Sequence, residues 1–339
     1  MHGILFFIKF CVNFRRIPNA WFLKKCLKQH IQFNDVKYNS KKKVLTLIKA
    51  GIEVEKGKND YLLDSIRYII NLVTKANAIF FQEDDNLYVK IGRLKYMIQN
   101  SEELYILHEI SVKGIYGCGG EKEFVLLDIG MNVGFASLYF SSQDKCKKVI
   151  AFEHFKPTYE QALCNFNLNE DFKSKIYAFN YGLGHEDIKL EIKYYPQLKG
   201  GMSTTFVNNR EGMICSSEPI EIKKADIVFD GLKLKEFRKE GYKIIAKIDC
   251  EGAEYNIIQA LFDSHSLQNI DVLMMEWHRS RPEKLTRLLA KSDFDYFLFD
   301  PFENYGMIYA VKAGYIQNSF NKTTKLDNKN AECISNSTV

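Results

Sequence analysis

The chain lacks a long apolar run. Its opening Ile4-Leu-Phe-Phe-Ile8 stretch is interrupted by Lys9 and closed by Arg15-Arg16, well short of the ~20 apolar residues that span a bilayer. It also lacks the small-residue cleavage pattern of a secretory signal. The eight cysteines, at 11, 26, 118, 146, 164, 215, 250 and 333, include no Cys-x-x-Cys and no histidine-rich partner spacing, which argues against a zinc site. Scattered thiols without a secretory signal suit a reducing cytoplasm, where they serve as small buried hydrophobes. Cytoplasmic location is therefore the expectation.

A third absence is Gly-x-Gly-x-x-Gly. In its place stands Phe124-Val-Leu-Leu-Asp-Ile-Gly-Met-Asn-Val-Gly-Phe135, an apolar strand that breaks at Gly130 into a glycine-punctuated turn and then a helix. An apolar strand without alternation fits the centre of a parallel sheet covered on both faces. Gly130 and Gly134 allow a tight turn to pass close to a ligand, and the helix that follows offers unpaired N–H groups. A dinucleotide pyrophosphate wants a glycine where Asn132 stands. Asp128, two residues before Gly130, suits a cationic amino group better. A second strand, Val149-Ile-Ala-Phe-Glu153, ends in a carboxylate 153 − 128 = 25 residues further on. That spacing puts Glu153 beside the turn, where it is able to accept the hydroxyls of a ribose.

These motifs resemble the FkbM family of S-adenosylmethionine-dependent methyltransferases. Besides the turn and Glu153, the likeness includes Tyr159, Leu163 and the Asn-x-x-x-Asn169 pattern on the following helix, Gly182-Leu-Gly184, and Lys247-Ile-Asp-Cys-Glu-Gly-Ala-Glu254. It covers about residues 86–312. His154-Phe-Lys-Pro157 departs from the family's usual Pro-Asn-x-Pro, so the ribose role of Glu153 carries over and the adenosine contacts of that loop stay open. The resemblance implies an α/β fold with a doubly wound, mostly parallel, Rossmann-like sheet of the class I methyltransferase type, closed by an antiparallel hairpin. It also implies S-adenosylmethionine as cofactor and a sugar hydroxyl of a surface polysaccharide or lipid-linked glycan as acceptor.

Charge divides the chain unevenly. Residues 1–58 hold 13 Lys and Arg against 3 Asp and Glu, leaving 34 against 39 for the rest. The first 58 residues read as short helices and basic loops, with Pro18 placed to start a helix over Trp21–Ile31 and Lys41-Lys42-Lys43 marking a solvated break. Apolar residues from Ile4 to Trp21 beside Arg15, Arg16, Lys24 and Lys25 suit either packing on the main domain or peripheral contact with a membrane surface. Asp60 caps a predicted helix to about Lys75, Leu87–Ile91 and Leu94–Ile98 form a hairpin, and Ser101 caps a further helix. Strands at 124–129, 149–152, 176–180, 244–248 and 271–276 then alternate with helices, as in a wound parallel sheet. Asp295–Phe299 and Met307–Val311, joined by a turn at Pro301–Asn304, make the closing hairpin. Ile188–Tyr194 and Glu218–Lys223 are extra strands around the Gly200–Phe206 loop. The expected domains are a basic helical extension over 1–85, a catalytic domain over 86–312 and a disordered polar tail over 313–339.

In such a sheet the ligands lie beyond the carboxyl ends of the strands. Cofactor candidates are therefore Asp128, Gly130, Asn132, Gly134, Glu153, Asn180 and Gly182; Asn180 reads equally well as a turn residue. Asp249, Glu251 and Glu254 put three acids at one helix start, more than capping explains. Asp249 is the first candidate to orient the acceptor, act as base or hold a divalent metal; Glu251 is the second. His278, just past the fifth strand, is a candidate base because a free imidazole titrates near neutral pH. No aromatic-Pro-Pro signature of exocyclic nitrogen chemistry is present and no cysteine context suggests carbon methylation, which favours oxygen. No nucleic-acid partner is expected. The competing readings are an NAD-dependent oxidoreductase on the same kind of sheet and a binding or scaffold protein with a degenerate site.

Overall fold

The computed structural model describes residues 2–83, 86–117, 122–202, 213–299 and 304–313. The expected tail beyond 313, residues 203–206 of the glycine loop and residues 301–303 of the closing turn lie outside them.

A seven-stranded sheet organises the chain. Its strands are β1 (Phe124–Ile129), β2 (Cys146–Phe152), β3 (Ile176–Phe179), β4 (Lys243–Ile248), β5 (Val272–His278), β6 (Phe294–Phe299) and β7 (Tyr305–Lys312). They lie in the order β6-β7-β5-β4-β1-β2-β3. β1 to β5 pair in parallel, and the expected hairpin of β6 and β7 closes the sheet antiparallel against β5. The winding runs outward from β1 to β3 and then returns to β4 on the other side of β1. Loops therefore diverge at the carboxyl ends of β1 and β4, which leaves a crevice there.

Strand side chains alternate between two faces. Val125, Leu127 and Ile129 of β1 join Ile244, Ala246 and Ile248 of β4 in one buried cluster, covered by α3 (Glu254–Asp263) and α4 (Glu283–Lys291). Phe124 and Leu126 share the opposite face with Ile245. That face is covered by α1 (Phe135–Ser141), α2 (Lys156–Asn167) and much of the N-terminal segment. A single contiguous cluster runs from Ile17 through Leu45, Leu63 and Leu104 to Met274 and Met307.

The N-terminal segment differs from the helix-and-loop expectation. Val36–Asn39, Val44–Leu47 and Ile52–Val54 form a three-stranded antiparallel sheet. The Lys41–Lys43 run is its first hairpin turn, held by the Asn39 side chain, which accepts from the backbone N–H groups of Lys41 and Lys42. Lys43 adopts φ +57° at the end of that turn. The early helix spans Ala20–Lys28 and is capped by Asn19, whose side chain accepts from Trp21 and Phe22. Asp60 makes no side-chain cap, and the expected 60–75 helix breaks at Ser65 into Tyr61–Asp64 and Ile66–Ala76. Asn100, not Ser101, caps the Ser101–His108 helix by accepting from Glu103 N–H at 3.0 Å. The 87–98 hairpin gains a third strand, Ile79–Glu83.

Asn165 on α2 and Asn169 just past its end tie this hairpin to the turn after β1. Asn165 accepts from Met97 N–H at 2.8 Å and donates to the Val133 carbonyl at 2.9 Å; Asn169 exchanges bonds with both backbone groups of Lys95. Buried amides thus satisfy an edge strand that has no further strand beside it.

Candidate active site

The turn after β1 is built on Gly130 and Gly134, both at φ +81°. A Cβ on Gly130 would stand 1.9 Å from the Asp249 carbonyl oxygen, and one on Gly134 would stand 2.5 Å from the Phe166 ring. Only glycine meets both the φ and the space. Asn132, the residue in place of a second glycine, takes φ +52° and uses its side-chain oxygen to accept from Val133 N–H at 2.7 Å. Asparagine tolerates this left-handed geometry better than most residues.

Glu153 fastens the turn to the end of β2. Its two oxygens accept from the N–H groups of Asn132 at 3.0 Å and Phe155 at 2.9 Å. Each oxygen keeps a lone pair for a ligand hydroxyl. Burial raises the carboxyl to about 7, against the lowering effect of the two backbone bonds. His154 beside it is held down to about 4 by burial, so its ring is neutral. Its buried Nε2 has no hydrogen-bond partner among the described residues.

Asp128 does not face the cleft. It shares the parity of Phe124 and Leu126, and its register partner on β4 is Lys247. The Lys247 ammonium lies 3.3 Å from Asp128 Oδ1 and 3.6 Å from Asp249 Oδ2, and it donates to the Gly130 carbonyl at 2.6 Å. Ser137 on α1 donates to the other Asp128 oxygen at 2.6 Å. Burial works against the Lys247 charge, but Asp128 and Asp249 outweigh it and hold its pKa above the ordinary lysine value. Asp128 therefore supports the turn from behind. Lys247, the first residue of the Lys247–Glu254 motif, joins the β1 and β4 loops together with the Asp249 N–H, which donates to the Ile129 carbonyl at 3.0 Å.

After β4 the backbone turns through Glu251 at φ +52° and Gly252 at φ +108°. The three acids of this loop separate here. Glu254 is fully buried and accepts from Gly252 N–H at 2.8 Å and His278 N–H at 2.7 Å, tying the loop to β5. Asp249 and Glu251 face the cleft, together with Glu276 of β5. The Tyr116 hydroxyl stands 3.5 Å from Asp249 Oδ2. Burial pushes Glu251 up to about 7, and burial with the Asp249 carboxylate pushes Glu276 up as well.

His278 stands one contact behind this group. Its Nδ1 is 3.4 Å from Glu254 Oε1 and its Nε2 is 3.7 Å from both Glu251 Oε1 and Glu276 Oε1. Burial alone would lower the imidazole, but Glu254, Glu251 and Asp249 outweigh it and hold it up to about 10. The expectation of a histidine titrating near neutral pH does not hold in this setting.

The cleft between these elements has a volume of about 150 Å³ and opens to solvent. Gly130, Asn132, Glu153, Gly182, Asp249 and Glu251 all line it. Asn180 is exposed and spends its amide N–H groups on the carbonyls of Glu153 and His154. Gly134 packs beneath the turn against Phe166. The segment leading to Met202 also lines the cleft, through Lys199, Gly200 and Met202. Lys199 on this segment makes a buried ion pair with Glu103 at 3.0 Å and also donates to Gln161. Glu102 accepts from Gly200 N–H at 2.8 Å. None of these contacts has a motif, since each joins residues about 40 to 100 positions apart.

The family described as Methyltransferase FkbM domain matches residues 128–306, more than half of the chain. Methyltransferase 1 of Beauveria bassiana is 28% identical over 150 residues, which cover 41% of this chain and 59% of that protein. Methyltransferase sdnD of Sordaria araneosa is 27% identical over 232 residues, covering 61% of this chain and 88% of the relative. The chain thus spans less than two thirds of the first relative and most of the second. Among solved structures, the methyltransferase FkbM of Methylobacillus flagellatus is similar with 15% identity and a TM-score of 0.38, over 74% of this chain and 59% of that one.

Proposed function

Because the chain belongs to the FkbM methyltransferase family and uses S-adenosylmethionine as its methyl donor, we propose that the methyl group goes to a hydroxyl, on a sugar of a surface polysaccharide or lipid-linked glycan. The family also sets aside the oxidoreductase and scaffold readings. The observation that carries the hydroxyl acceptor is the pair of cleft-facing carboxylates, Asp249 and Glu251, on the loop that touches the glycine turn. Methyl transfer from a sulfonium is an in-line displacement, so acceptor oxygen, methyl carbon and sulfur must be held collinear. A sugar hydroxyl is a poor nucleophile until its proton has somewhere to go. Asp249 orients the hydroxyl and Glu251 takes the proton, while Glu153 holds the ribose at the other end of the cleft. The glycan follows from the family resemblance.

The test is transfer of labelled methyl from S-adenosylmethionine to a panel of glycans, simple sugars, amines and carboxylic acids. The expected product is an alkali-stable ether. Label found only on nitrogen or in an alkali-labile ester would overturn the hydroxyl assignment.

A second proposal concerns the N-terminal helix, His2–Arg16. Ile8, Val12 and Phe14 are 57%, 52% and 44% exposed, while Asn13 and Ile17 turn inward, and the helix ends in Arg15-Arg16. Exposed apolar groups beside basic ones suit the interface of an anionic bilayer. Among the described residues no helix is long and apolar enough to cross a membrane. The full chain should sediment with phosphatidylserine vesicles and be released by salt; equal sedimentation of a Val12→Glu/Phe14→Glu variant would remove the helix from that role.

A further inference from the structure

The carboxyl ends of β4 and β5 bring three side chains of ligand chemistry together. Asp249, Glu276 and His278 each offer an atom within 4.8 Å of the other two. Their contacts are too long for strong hydrogen bonds: His278 Nε2 is 3.7 Å from Glu276 Oε1, and Asp249 Oδ2 is 3.5 Å from the Tyr116 hydroxyl and 3.6 Å from Lys247 Nζ. Of these, the 3.7 Å between His278 and Glu276 is the one between two of the three ligands, and it falls within the spacing of donors around one ion. With metal–ligand distances of roughly 2.0–2.2 Å, donor atoms lie about 3 Å apart on adjacent positions and just over 4 Å apart across the ion.

The setting of His278 is a separate observation. The side chain is buried, with the residue 8% exposed, and Nδ1 makes no aligned hydrogen bond. Nδ1 faces Glu254, a fully buried carboxylate already pinned by two backbone N–H groups. Nε2 is therefore the ring nitrogen turned toward the cleft acids. A carboxylate behind the distal nitrogen is the arrangement that aims a histidine at a metal and raises its basicity. Charge points the same way. Asp249, Glu251, Glu254 and Glu276 surround the ring, and the nearby Lys247 is shared between Asp128, the Gly130 carbonyl and Asp249, so it offsets only part of that charge. Buried like charges are costly, and a cation among them offsets that cost.

We propose that Asp249, Glu276 and His278 Nε2 form a binding site for one divalent metal ion. Two carboxylates and one imidazole favour Mn²⁺ or Zn²⁺ over Ca²⁺, which prefers an all-oxygen shell. Asp249 and Glu276 line the cleft, so an ion held there would polarise the acceptor hydroxyl and leave Glu251 to take its proton. Only this role rests on the hydroxyl reading; the site itself rests on the three ligands.

The experiment uses the full-length chain stripped with a chelator and titrated with Mn²⁺ under electron paramagnetic resonance. The expected result is one saturable site whose spin-echo signal carries nitrogen modulation from an imidazole. Glu276→Gln should weaken binding at least 10-fold, and His278→Gln should abolish the nitrogen modulation, with thermal unfolding confirming that each variant folds. Should His278→Gln fail to fold, Glu276→Gln decides. Glu170→Gln, at an exposed i,i+3 pair with Lys173, should bind as wild type does. Absence of saturable Mn²⁺ binding, binding without nitrogen modulation, or full affinity in Glu276→Gln would overturn the proposal. The acceptor atom is read separately from product analysis, so failure of the metal site and failure of the hydroxyl reading give different results.

Discussion

Lys247 and Asp128 are register partners on β4 and β1, and their buried ion pair, 3.3 Å apart, lies directly behind the glycine turn. The same ammonium donates to the Gly130 carbonyl. Removing it strands a buried carboxylate. Lys247→Met should therefore cost about 3–5 kcal/mol in urea denaturation. Adding Asp128→Leu should recover part of the loss, since both charges are then gone. A loss below ~1 kcal/mol in the single variant would show that the pair does not hold the two loops together.

Gly130→Ala should be worse than its conformation alone implies. A residue at φ +81° costs roughly 1–2 kcal/mol relative to glycine, and here the added Cβ also meets the Asp249 carbonyl at 1.9 Å. Gly241 provides the comparison: it has φ +95° but nothing within 4 Å of its would-be Cβ. Thermal unfolding should rank Gly130→Ala clearly below Gly241→Ala, and only the former should lose affinity for S-adenosylhomocysteine. Equal losses would mean the β1 and β4 loops separate at little cost.

The central sheet is legible because its strands are continuous apolar runs ended by glycine or an acid, and the alternation with helices sets their direction. The N-terminal sheet is not, because strands of three and four residues such as Ile52–Val54 and Val44–Leu47 fall below any clear period and sit among lysines that read as loop. The site was legible as a set of strand ends but not as directions. Counting in twos from Phe124 shows Asp128 on the face under α1 and α2, yet its partner emerges only when Lys247 is placed in register 119 residues later (247 − 128). Likewise Glu254 shares a motif with Asp249 but turns to the backbone of His278, a contact that depends on how β4 and β5 pair.

Glu153 should give stability a specific dependence on pH. Burial raises its folded pKa from the ordinary 4.5 to about 7. The folded state then binds the proton more tightly, so this group's contribution is fully present below about pH 4.5 and is lost as pH rises to about 7, at no more than ~1.4 kcal/mol per pH unit. Urea midpoints measured from pH 5 to 8 should show the stability difference between wild type and Glu153→Gln shifting against wild type as pH rises. A difference constant across that range would place the ionised carboxylate in the folded protein throughout.

Glu251→Gln should separate chemistry from binding. It keeps the size of the side chain but cannot take the acceptor's proton, so turnover should fall roughly 10²- to 10⁴-fold with cofactor affinity nearly unchanged. Turnover within a few-fold of wild type would pass the proton's destination to another carboxylate.

The central claim is that S-adenosylmethionine lies against the glycine turn with its ribose on Glu153. Calorimetric titration of the full-length chain with S-adenosylhomocysteine tests it most directly. The account predicts one binding site, a loss of about 1–3 kcal/mol in Glu153→Ala, and no competition from NAD. Unchanged affinity in a folded Glu153→Ala protein, or displacement of the ligand by NAD, would contradict it.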